Sequence, residues 1–439
     1  MATPVDNITY SPLVPAPPPT VEVVQETPFD TGLAVRYSVA NFGAQAVFTL
    51  LTTGMSFYLA SFPQLNAQPA LIGLLSNERA LVAAVAQPIV GRASDRTRTR
   101  LGKRRPFMLV GVPLMAASLG ILATHPPFWI MFALLSVAAF FLWVALDPYN
   151  ALIADLFPAS QRGRVGGILG LVQMLGSATF LIFAIKFWDH SESLVFAVTI
   201  AVLLLSFGFT FLTVKEPLEE QDAVPKPAVK RTRPRPSVYI RDVFRYREAV
   251  KYTLALVFFW LGNGGATPFL SLFGERALGL KQGDSFFLPL AFVFGTALLA
   301  VPAGLLADRI GRKRVLSAGL FLFGAAALIG SQTQGLTQAI VALFFVGMGN
   351  AGIGTMLTPL LADLIPHRRA AELIGLSSAV TSFAQPLGSV LAGEVVTIAT
   401  ASVGQNAAYR GAFIFAGILV IFSGLLLQRV QPGRPVPQD

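Results

Sequence analysis

The chain of 439 residues contains no cysteine, only three histidines and few charged residues, 13% of the total. The absence of cysteine excludes disulfides, thiolate nucleophiles and cysteine metal sites. The histidines lie far apart and show no zinc-binding spacing, so we expect neither a metal nor a cofactor. An average soluble domain has about 25% charged residues. The low charge therefore excludes a soluble enzyme, a disordered protein and a secreted disulfide scaffold.

Long apolar runs take up most of the chain, which is 54% hydrophobic and has a mean hydropathy of +0.64. A helix of about 20 apolar residues crosses the hydrocarbon core of a bilayer. The runs are too long for the strands of a transmembrane barrel, which have about ten residues of alternating polarity. We therefore predict an all-α membrane protein, because helices satisfy their own backbone in lipid. The twelve predicted spans lie near residues 35–61, 70–92, 106–124, 128–155, 164–188, 193–214, 249–273, 285–307, 314–331, 337–362, 371–398 and 410–429.

The basic residues of the chain are distributed unevenly between the segments that join these spans. With the N-terminus in the cytoplasm, all but five of the 33 Lys and Arg residues fall in cytoplasmic segments. This asymmetry predicts a multi-pass protein of the cell (inner) membrane with both termini cytoplasmic. It also accounts for most of the net charge of +10, so no nucleic-acid partner is expected. The five exceptions are Arg79, Lys186, Arg276, Lys281 and Arg410.

A long basic segment separates the first six spans from the last six. We interpret it as a flexible linker attracted to anionic lipid headgroups, with a regulatory or partner-binding site as the alternative. The predicted organisation is a disordered cytoplasmic tail over residues 1–30, a first six-helix bundle over 31–214, a cytoplasmic linker over 215–248, a second six-helix bundle over 249–430 and a cytoplasmic tail over 431–439.

Two motifs occur once in each half of the chain. The sequence GRASDR at Gly91–Arg96 ends span 2, and GLLADR at Gly304–Arg309 ends span 8. Likewise, ADLFP at Ala154–Pro158 ends span 4 and ADLIP at Ala362–Pro366 ends span 10. The aspartates of the two motifs repeat after 213 and 208 residues. Six spans separate the copies, so both halves have the same orientation, as in parallel-repeat transporters with a central cavity.

The glycines, aspartates and arginines of these motifs are expected to form a gate at the cytoplasmic end. Glycines allow neighbouring helices to approach closely, and carboxylates pair with arginine or with helix N-terminal amides. Such pairs would latch this end while the cavity opens outward; the alternative is that the charges only set topology. The candidate gate residues are Gly91, Asp95, Arg96, Arg104, Asp155, Arg162, Gly304, Asp308, Arg309, Arg312, Asp363 and Arg368.

These motifs resemble the loop motif of the major facilitator superfamily. The longer first copy, Gly91–Phe107, resembles the sucrose–proton symporter branch and the related glycoside–cation symporters, and so does Pro148–Leu156. The resemblance covers nearly the whole chain at the level of the fold. It implies twelve helices in two pseudo-symmetric six-helix bundles, a cavity lined by spans 1, 4, 7 and 10, and proton-coupled symport of a sugar or glycoside by alternating access.

Asp147 is the deepest isolated carboxylate of the chain. It precedes Asp155 by eight residues, which places it about 12 Å inside the inner end of span 4. An ionisable group inside lipid is costly and is a functional hypothesis by default. Asp147 is therefore a candidate for reversible protonation during transport. A structural ion pair or a helix cap beside Pro148 is the alternative.

Glu78 and Arg79 form a second ionisable site, about 20 Å from the inner end of span 2. Glycoside symporters carry a carboxylate in this helix, and Glu78 is similar to it, which makes Glu78 a second proton or cation candidate. Arg79 departs from that pattern. It either neutralises the site or anchors a carboxylate of the substrate.

Uncharged polar side chains on the expected cavity-lining spans are the candidates for substrate binding, with helix–helix hydrogen bonds as the alternative. The expected partners are a small-molecule substrate, most simply a sugar, a proton or other cation, and the lipid bilayer. No enzymatic activity is expected. A drug or metabolite exporter, and a membrane protein that delivers a cofactor or lipid without transport, stay open as alternatives. The candidate cavity residues are Asn41, Gln45, Asn150, Asn263 and Asn350.

Overall fold

A computed structural model describes residues 28–216, 246–365 and 370–431. In these ranges the backbone is helical almost throughout, apart from turns and one isolated β-bridge. The predicted all-α architecture is therefore confirmed. Several predicted features lie outside the described residues: most of the two tails, linker residues 217–245, and Arg368.

The described residues form twelve long helical segments, numbered here as spans 1 to 12. By length and composition, ten helices can cross a membrane, and the bent pair in span 7 makes an eleventh. Span 1, interrupted by a π-helical turn, completes the predicted set. The spans are Thr31–Thr49 continued by Leu50–Gly54 and Met55–Ala60 (1), Pro69–Arg96 (2), Arg105–Leu122 (3), Phe128–Leu156 (4), Arg162–Phe187 (5), Glu192–Thr213 (6), Arg247–Ala266 with Phe269–Ala277 (7), Phe287–Ile310 (8), Arg312–Ser331 (9), Leu336–Asp363 (10), Ala370–Val403 (11) and Arg410–Gln428 (12).

The two halves pack their helices in the same pattern. Span 1 packs on spans 5 and 6, span 3 on spans 4 and 6, and span 2 on span 4. In the second half, span 7 packs on spans 11 and 12, span 9 on spans 10 and 12, and span 8 on span 10. The repeat of the sequence is therefore a repeat of the fold.

A tyrosine joins the first and fourth spans of each half. Tyr37 of span 1 donates a hydrogen bond to the Tyr149 carbonyl at 2.9 Å, and Tyr149 donates to the Tyr37 carbonyl at 2.7 Å. In the second half, Tyr252 of span 7 donates to the carbonyl of Leu357 in span 10 at 2.7 Å. All three bonds are buried or partly buried, where satisfied polar pairs fix the arrangement of helices. In the first half, the Tyr37–Tyr149 pair fixes span 4 against span 1 two residues after Asp147.

The two bundles meet at one end and are separated at the other. We call the end that carries the Gly91–Arg96 and Gly304–Arg309 motifs the motif end, and the opposite end the far end. At the far end, span 2 packs on span 11 and span 5 on span 8. A Cβ atom added to Gly73 of span 2 would lie 2.6 Å from the Ser389 carbonyl oxygen of span 11. The far end is therefore closed.

The glycines of the motif end face open space. A Cβ atom at Gly91 or Gly304 would meet nothing within 4 Å, and the same holds for Gly163 and Gly375. In this conformation Gly91 and Gly304 therefore do not form the close helix contacts that were predicted for them. The cavity between the bundles opens toward the motif end.

Candidate functional site

Two adjoining cavities of about 360 and 370 Å³ lie between the bundles. The first extends toward the motif end and the second toward the far end. Four side chains, Phe48, Arg79, Trp260 and Gln385, line both cavities and mark the point where they meet. Ligand pockets in proteins range from about 300 to 1,000 Å³. The combined space is therefore large enough for a small organic molecule.

Three of the five predicted cavity residues line this space. Gln45, Asn263 and Asn350 all face the far-end cavity. Asn41 does not: it is 6% exposed and lies one turn nearer the motif end, one turn after Tyr37, which is hydrogen-bonded to Tyr149 of span 4. Asn150 follows Tyr149 in span 4 and is exposed, but it does not line either cavity. Asn41 and Asn150 therefore lie outside these two cavities in this conformation, and their role in substrate binding stays a prediction.

Span 11 contributes a row of hydroxyl groups that was not predicted. Ser377, Ser378, Thr381 and Ser382 all line the motif-end cavity. Their spacing of i, i+1, i+4 and i+5 puts them on one face of a helix. That spacing is the sequence signal that would have identified them. Together with the indole of Trp260, they offer hydrogen bonds and an aromatic face to a hydroxylated ligand.

Asp147 lies beside the motif-end cavity and is connected to it through Gln87. The Gln87 Nε2 atom donates to Asp147 Oδ1 at 3.4 Å, and the Gln87 side chain lines the cavity. The second oxygen, Oδ2, is buried without a hydrogen-bond partner. Asp147 forms no ion pair with any residue of the described ranges. Among the described residues it is therefore an uncompensated carboxyl group next to the cavity, and none of them forms the structural ion pair considered as an alternative.

Glu78 occupies a different position, between spans 2 and 4. Its carboxyl oxygen Oε1 accepts a hydrogen bond from Ser136 of span 4, and its Oε2 is buried without a partner. Glu78 does not line either cavity. Of the two carboxylates considered for coupling, Asp147 has the more direct connection to the cavity.

Arg79 follows a break in span 2. The helix Pro69–Ser76 ends at Asn77, and Glu78–Arg96 begins after it. The Arg79 guanidinium turns back to this break and donates from Nη1 to the Ser76 carbonyl at 2.6 Å. It also lies 4.5 Å from the centre of the Phe48 ring, a cation–π contact. Neither Glu78 nor Asp147 is within ion-pair distance of Arg79, so it does not neutralise either carboxylate in this conformation.

The predicted gate motifs form matching ion pairs in the two bundles. Arg104 contacts Asp95 at 2.6 Å and Asp155 at 3.3 Å. Its counterpart Arg312 contacts Asp363 at 2.7 Å. Burial lowers the pKa of Arg104, but the hydrogen bonds and charges of the two aspartates outweigh this effect and raise the pKa above its ordinary value. Each pair therefore ties the ends of neighbouring spans together within its own bundle.

The other predicted gate residues are less closely connected. Arg162 donates to the carbonyls of Phe157 and Ala154 at 3.0 and 3.1 Å and thereby satisfies the end of span 4. Arg96, Asp308 and Arg309 are exposed. None of these three forms an ion pair in the part of the chain that the structure describes.

Glu216 is a structural residue of the motif end that the sequence did not reveal. Its carboxylate accepts hydrogen bonds of 2.9 to 3.3 Å from the backbone N–H groups of Lys103, Arg104 and Arg105 at the start of span 3. A negative charge at a helix N-terminus is stabilising because unpaired N–H groups and the helix dipole both favour it. Gly102, with a φ of +101°, brings the backbone close to this carboxylate. The sequence signal that was missed is the glycine at position 102, a few residues before span 3, because glycine readily adopts a positive φ.

Hydrogen bonds between the bundles hold the far end closed. Asp189, after span 5, accepts from the backbone N–H of Gly283 at 3.0 Å. The neighbouring Trp188 donates to the side chain of Gln282 at 3.1 Å. Arg276 of span 7 donates to the side chain of Asn66, between spans 1 and 2, at 3.3 Å. These contacts form a second gate, without a counterpart among the predicted residues.

Comparison with known proteins identifies a family model, described as MFS/sugar transport protein, that matches residues 36–426. The chain is also 26% identical over 175 residues to the quinolone resistance protein NorA of Staphylococcus aureus. The match covers 40% of this chain and 42% of that protein. A second relative, an uncharacterized transporter of Buchnera aphidicola, is 28% identical over 195 residues, 43% of this chain and 46% of that protein. The chain thus spans less than half the length of these curated relatives.

Solved structures similar to this one share its fold. A point mutant of the nucleoside transporter NupG superimposes with a TM-score of 0.72 and 14% identity, over 90% of this chain and 99% of that chain. A bacterial homologue of the human lysosomal transporter Spinster, in an inward-facing and occupied conformation, gives a TM-score of 0.66 and 14% identity, over 91% and 96% of the two chains. At this level of identity the similarity establishes the fold alone.

Proposed function

Because the chain belongs to the MFS/sugar transport protein family, whose model it matches over most of its length, we propose that it is a proton-coupled symporter of a sugar or glycoside. The observation that carries this proposal is the uncompensated Asp147 carboxyl group, joined by Gln87 to a cavity lined with hydroxyl and amide groups. A carboxyl group that is alone in the membrane can bind and release a proton as the cavity changes sides. The polar lining and the aromatic ring of Trp260 suit a hydroxylated solute.

Alternating access is supported by the two ends of the molecule. The far end is closed by packing and hydrogen bonds between the bundles, whereas the motif end is open. Because the two halves are parallel repeats, rocking of one bundle against the other would exchange the open and closed ends. The bound solute would then be exposed to one side at a time.

We propose that the motif end lies in the cytoplasm of a cell whose inner membrane the chain spans, because the basic residues concentrate at this end. A membrane-impermeant thiol reagent is then expected to label a cysteine introduced at Lys281, beside the far-end gate, in intact cells. The natural chain has no cysteine, so background labelling is absent. Labelling that appears only after the cells are opened would reverse the proposed orientation.

The proposed symport is tested with the purified chain in proteoliposomes that contain a pH-sensitive dye. Addition of a transported sugar or glycoside outside is expected to acidify the lumen, and an imposed proton gradient is expected to drive uptake of the labelled solute. Arg36→Gln, a change at an exposed residue outside the cavity, serves as the matched control. Sugar uptake that is unaffected by the proton gradient would contradict proton coupling.

Export of an amphiphile is the second candidate function. It is favoured by the apolar part of the far-end cavity, which includes Leu181, Leu270, Val293 and Phe323, and by the partial similarity to NorA. The same proteoliposomes distinguish the two functions. If a quinolone, but no sugar, exchanges for protons in the opposite direction, the exporter is correct and the symport is wrong.

A further inference from the structure

Arg79 is the one charged side chain among the described residues that line the two cavities. It is 6% exposed, and it lies where the two cavities meet. A buried charge is normally paired, because an isolated ion outside water is costly. No carboxylate of the described chain forms an ion pair with Arg79. The guanidinium therefore places in the cavity lining a positive charge that a bound anion can balance.

The described residues use little of the hydrogen-bonding capacity of the Arg79 guanidinium. Arginine carries five N–H donors. One of them binds the Ser76 carbonyl, and the face of the group rests on Phe48. These two contacts fix the side chain without neutralising it. The remaining donors can form the paired hydrogen bonds by which a guanidinium binds a carboxylate.

The break in span 2 adds to this preference. The second helix of span 2 starts at Glu78, directly after Asn77, so its N-terminal end lies next to Arg79. The N-terminus of a broken membrane helix carries a partial positive charge, and in transporters such ends point at anionic groups of the substrate. Both Asn77 side-chain atoms, Nδ2 and Oδ1, are buried without a partner. The break is therefore polar, and the described residues satisfy only part of its hydrogen-bonding capacity.

The rest of the lining indicates what surrounds the anionic group. Ser377, Ser378, Thr381 and Ser382 line the motif-end cavity together with Arg79, and Trp260 lines both cavities. These groups suit hydroxyls and a sugar ring. A dianionic phosphate would need a second cation, and the described lining has none. A single guanidinium matches the single charge of a carboxylate.

We propose that the preferred substrate is an acidic sugar, a hydroxylated ring of monosaccharide or disaccharide size that carries one carboxylate bound by Arg79. This inference rests on the proposed symport and narrows its substrate class. It assigns to Arg79 the charge recognition of the substrate, separate from the proton carried at Asp147. It also explains why the position holds an arginine that no residue of the described chain neutralises.

The test compares two probes that differ only in the carboxylate: methyl β-glucoside and methyl β-glucuronide. Binding to the purified full chain is followed by tryptophan fluorescence, because Trp143 and Trp260 line the cavity. Uptake is followed in the proteoliposomes described above. The glucuronide is expected to bind at least about tenfold more tightly than the glucoside. Arg79→Gln should weaken glucuronide binding about 10- to 100-fold, as expected for the loss of a charge-assisted hydrogen bond in a desolvated site.

Arg79→Lys and Arg36→Gln complete the design. Arg79→Lys keeps the charge and should retain part of the preference for the glucuronide, whereas Arg36→Gln should leave it unchanged. If Arg79→Gln does not fold, the comparison of the two probes on the natural chain still tests whether the chain prefers the acidic sugar. Equal binding of the two probes, or tighter binding of the neutral one, would overturn the acidic-sugar inference and leave the symport standing. If neither probe binds or moves protons, both this inference and the proposed symport fail.

Discussion

Asp147→Asn is expected to abolish the accumulation of substrate against its gradient and to leave exchange of labelled for unlabelled substrate intact. A proton moving across 100 mV gains about 2.3 kcal/mol, and each 1.4 kcal/mol corresponds to a tenfold ratio. One coupled proton therefore supports up to about 50-fold accumulation, and the variant should reach a ratio of about one. Asparagine mimics the protonated side chain, so the loaded carrier still changes sides, but the empty carrier no longer releases a proton. Both reactions are measured in the same proteoliposomes.

Glu78→Gln is the matched control for this experiment. Its carboxyl group is bonded to Ser136 and does not line the cavity, so accumulation should stay within about twofold of the natural chain. Full proton-driven accumulation by Asp147→Asn, with loss of accumulation by Glu78→Gln, would transfer the coupling role to Glu78. A parallel loss of exchange, accumulation and melting temperature in Asp147→Asn would mean that Asp147 only stabilises the bundle.

Gly393→Val and Gly304→Val are expected to stop transport by trapping opposite conformations. A Cβ atom at Gly393 of span 11 would lie 2.7 Å from the backbone of Pro69 in span 2, so valine should prevent closure of the far end. Overpacking of this kind costs about 1–3 kcal/mol, which shifts a two-state population about 5- to 150-fold. Gly304 faces open space here, and valine there should instead prevent closure of the motif end.

The reactivity of single cysteines in the cavity distinguishes the conformations that the two variants stabilise. A cysteine at Thr267, which lines the far-end cavity, should become more reactive from the far side in Gly393→Val and less reactive in Gly304→Val. Gly208→Val, where an added Cβ atom meets nothing within 4 Å, should change neither labelling nor transport. Identical labelling in the three variants would show that these glycines do not control the two gates.

The sequence was sufficient for the fold and for the residue types that form ion pairs at the motif end. Apolar runs fix the number of membrane helices, because a run either reaches the length of a bilayer or does not. The sequence predicted that the repeated aspartates bind arginines or helix N-terminal amides, but it did not identify the partners. In the structure, Arg104 contacts Asp95 and Asp155, and Arg312 contacts Asp363. These features depend on local sequence and topology alone.

It was harder to predict which side chains point into the cavity. In a membrane helix both the lipid side and the packed side are apolar, so periodicity does not show which polar group reaches the cavity. For this reason Asn41 and Asn150 were expected in the cavity but do not line the two cavities between the bundles, and the hydroxyl groups of span 11 were missed. Under the proposed alternating access, the contacts of Gly91 and Gly304 depend on which end is open, and the sequence does not indicate which state is described. The break at Asn77 has neither glycine nor proline beside it to indicate it.

The fold repeats between the two halves, but the charges beside the cavity do not. With the repeat offsets of 213 and 208 residues, Arg79 corresponds to Phe292, Gln87 to Ala300 and Asp147 to Thr355. The first half thus holds every ionisable group of the proposed mechanism, and the second half supplies the hydroxyl row of span 11. The proposed mechanism therefore assigns the handling of charge to the first half and the recognition of hydroxyl groups to the second half. Under the proposed symport, substitutions in the second half are expected to change which solute is transported and to preserve the proton coupling.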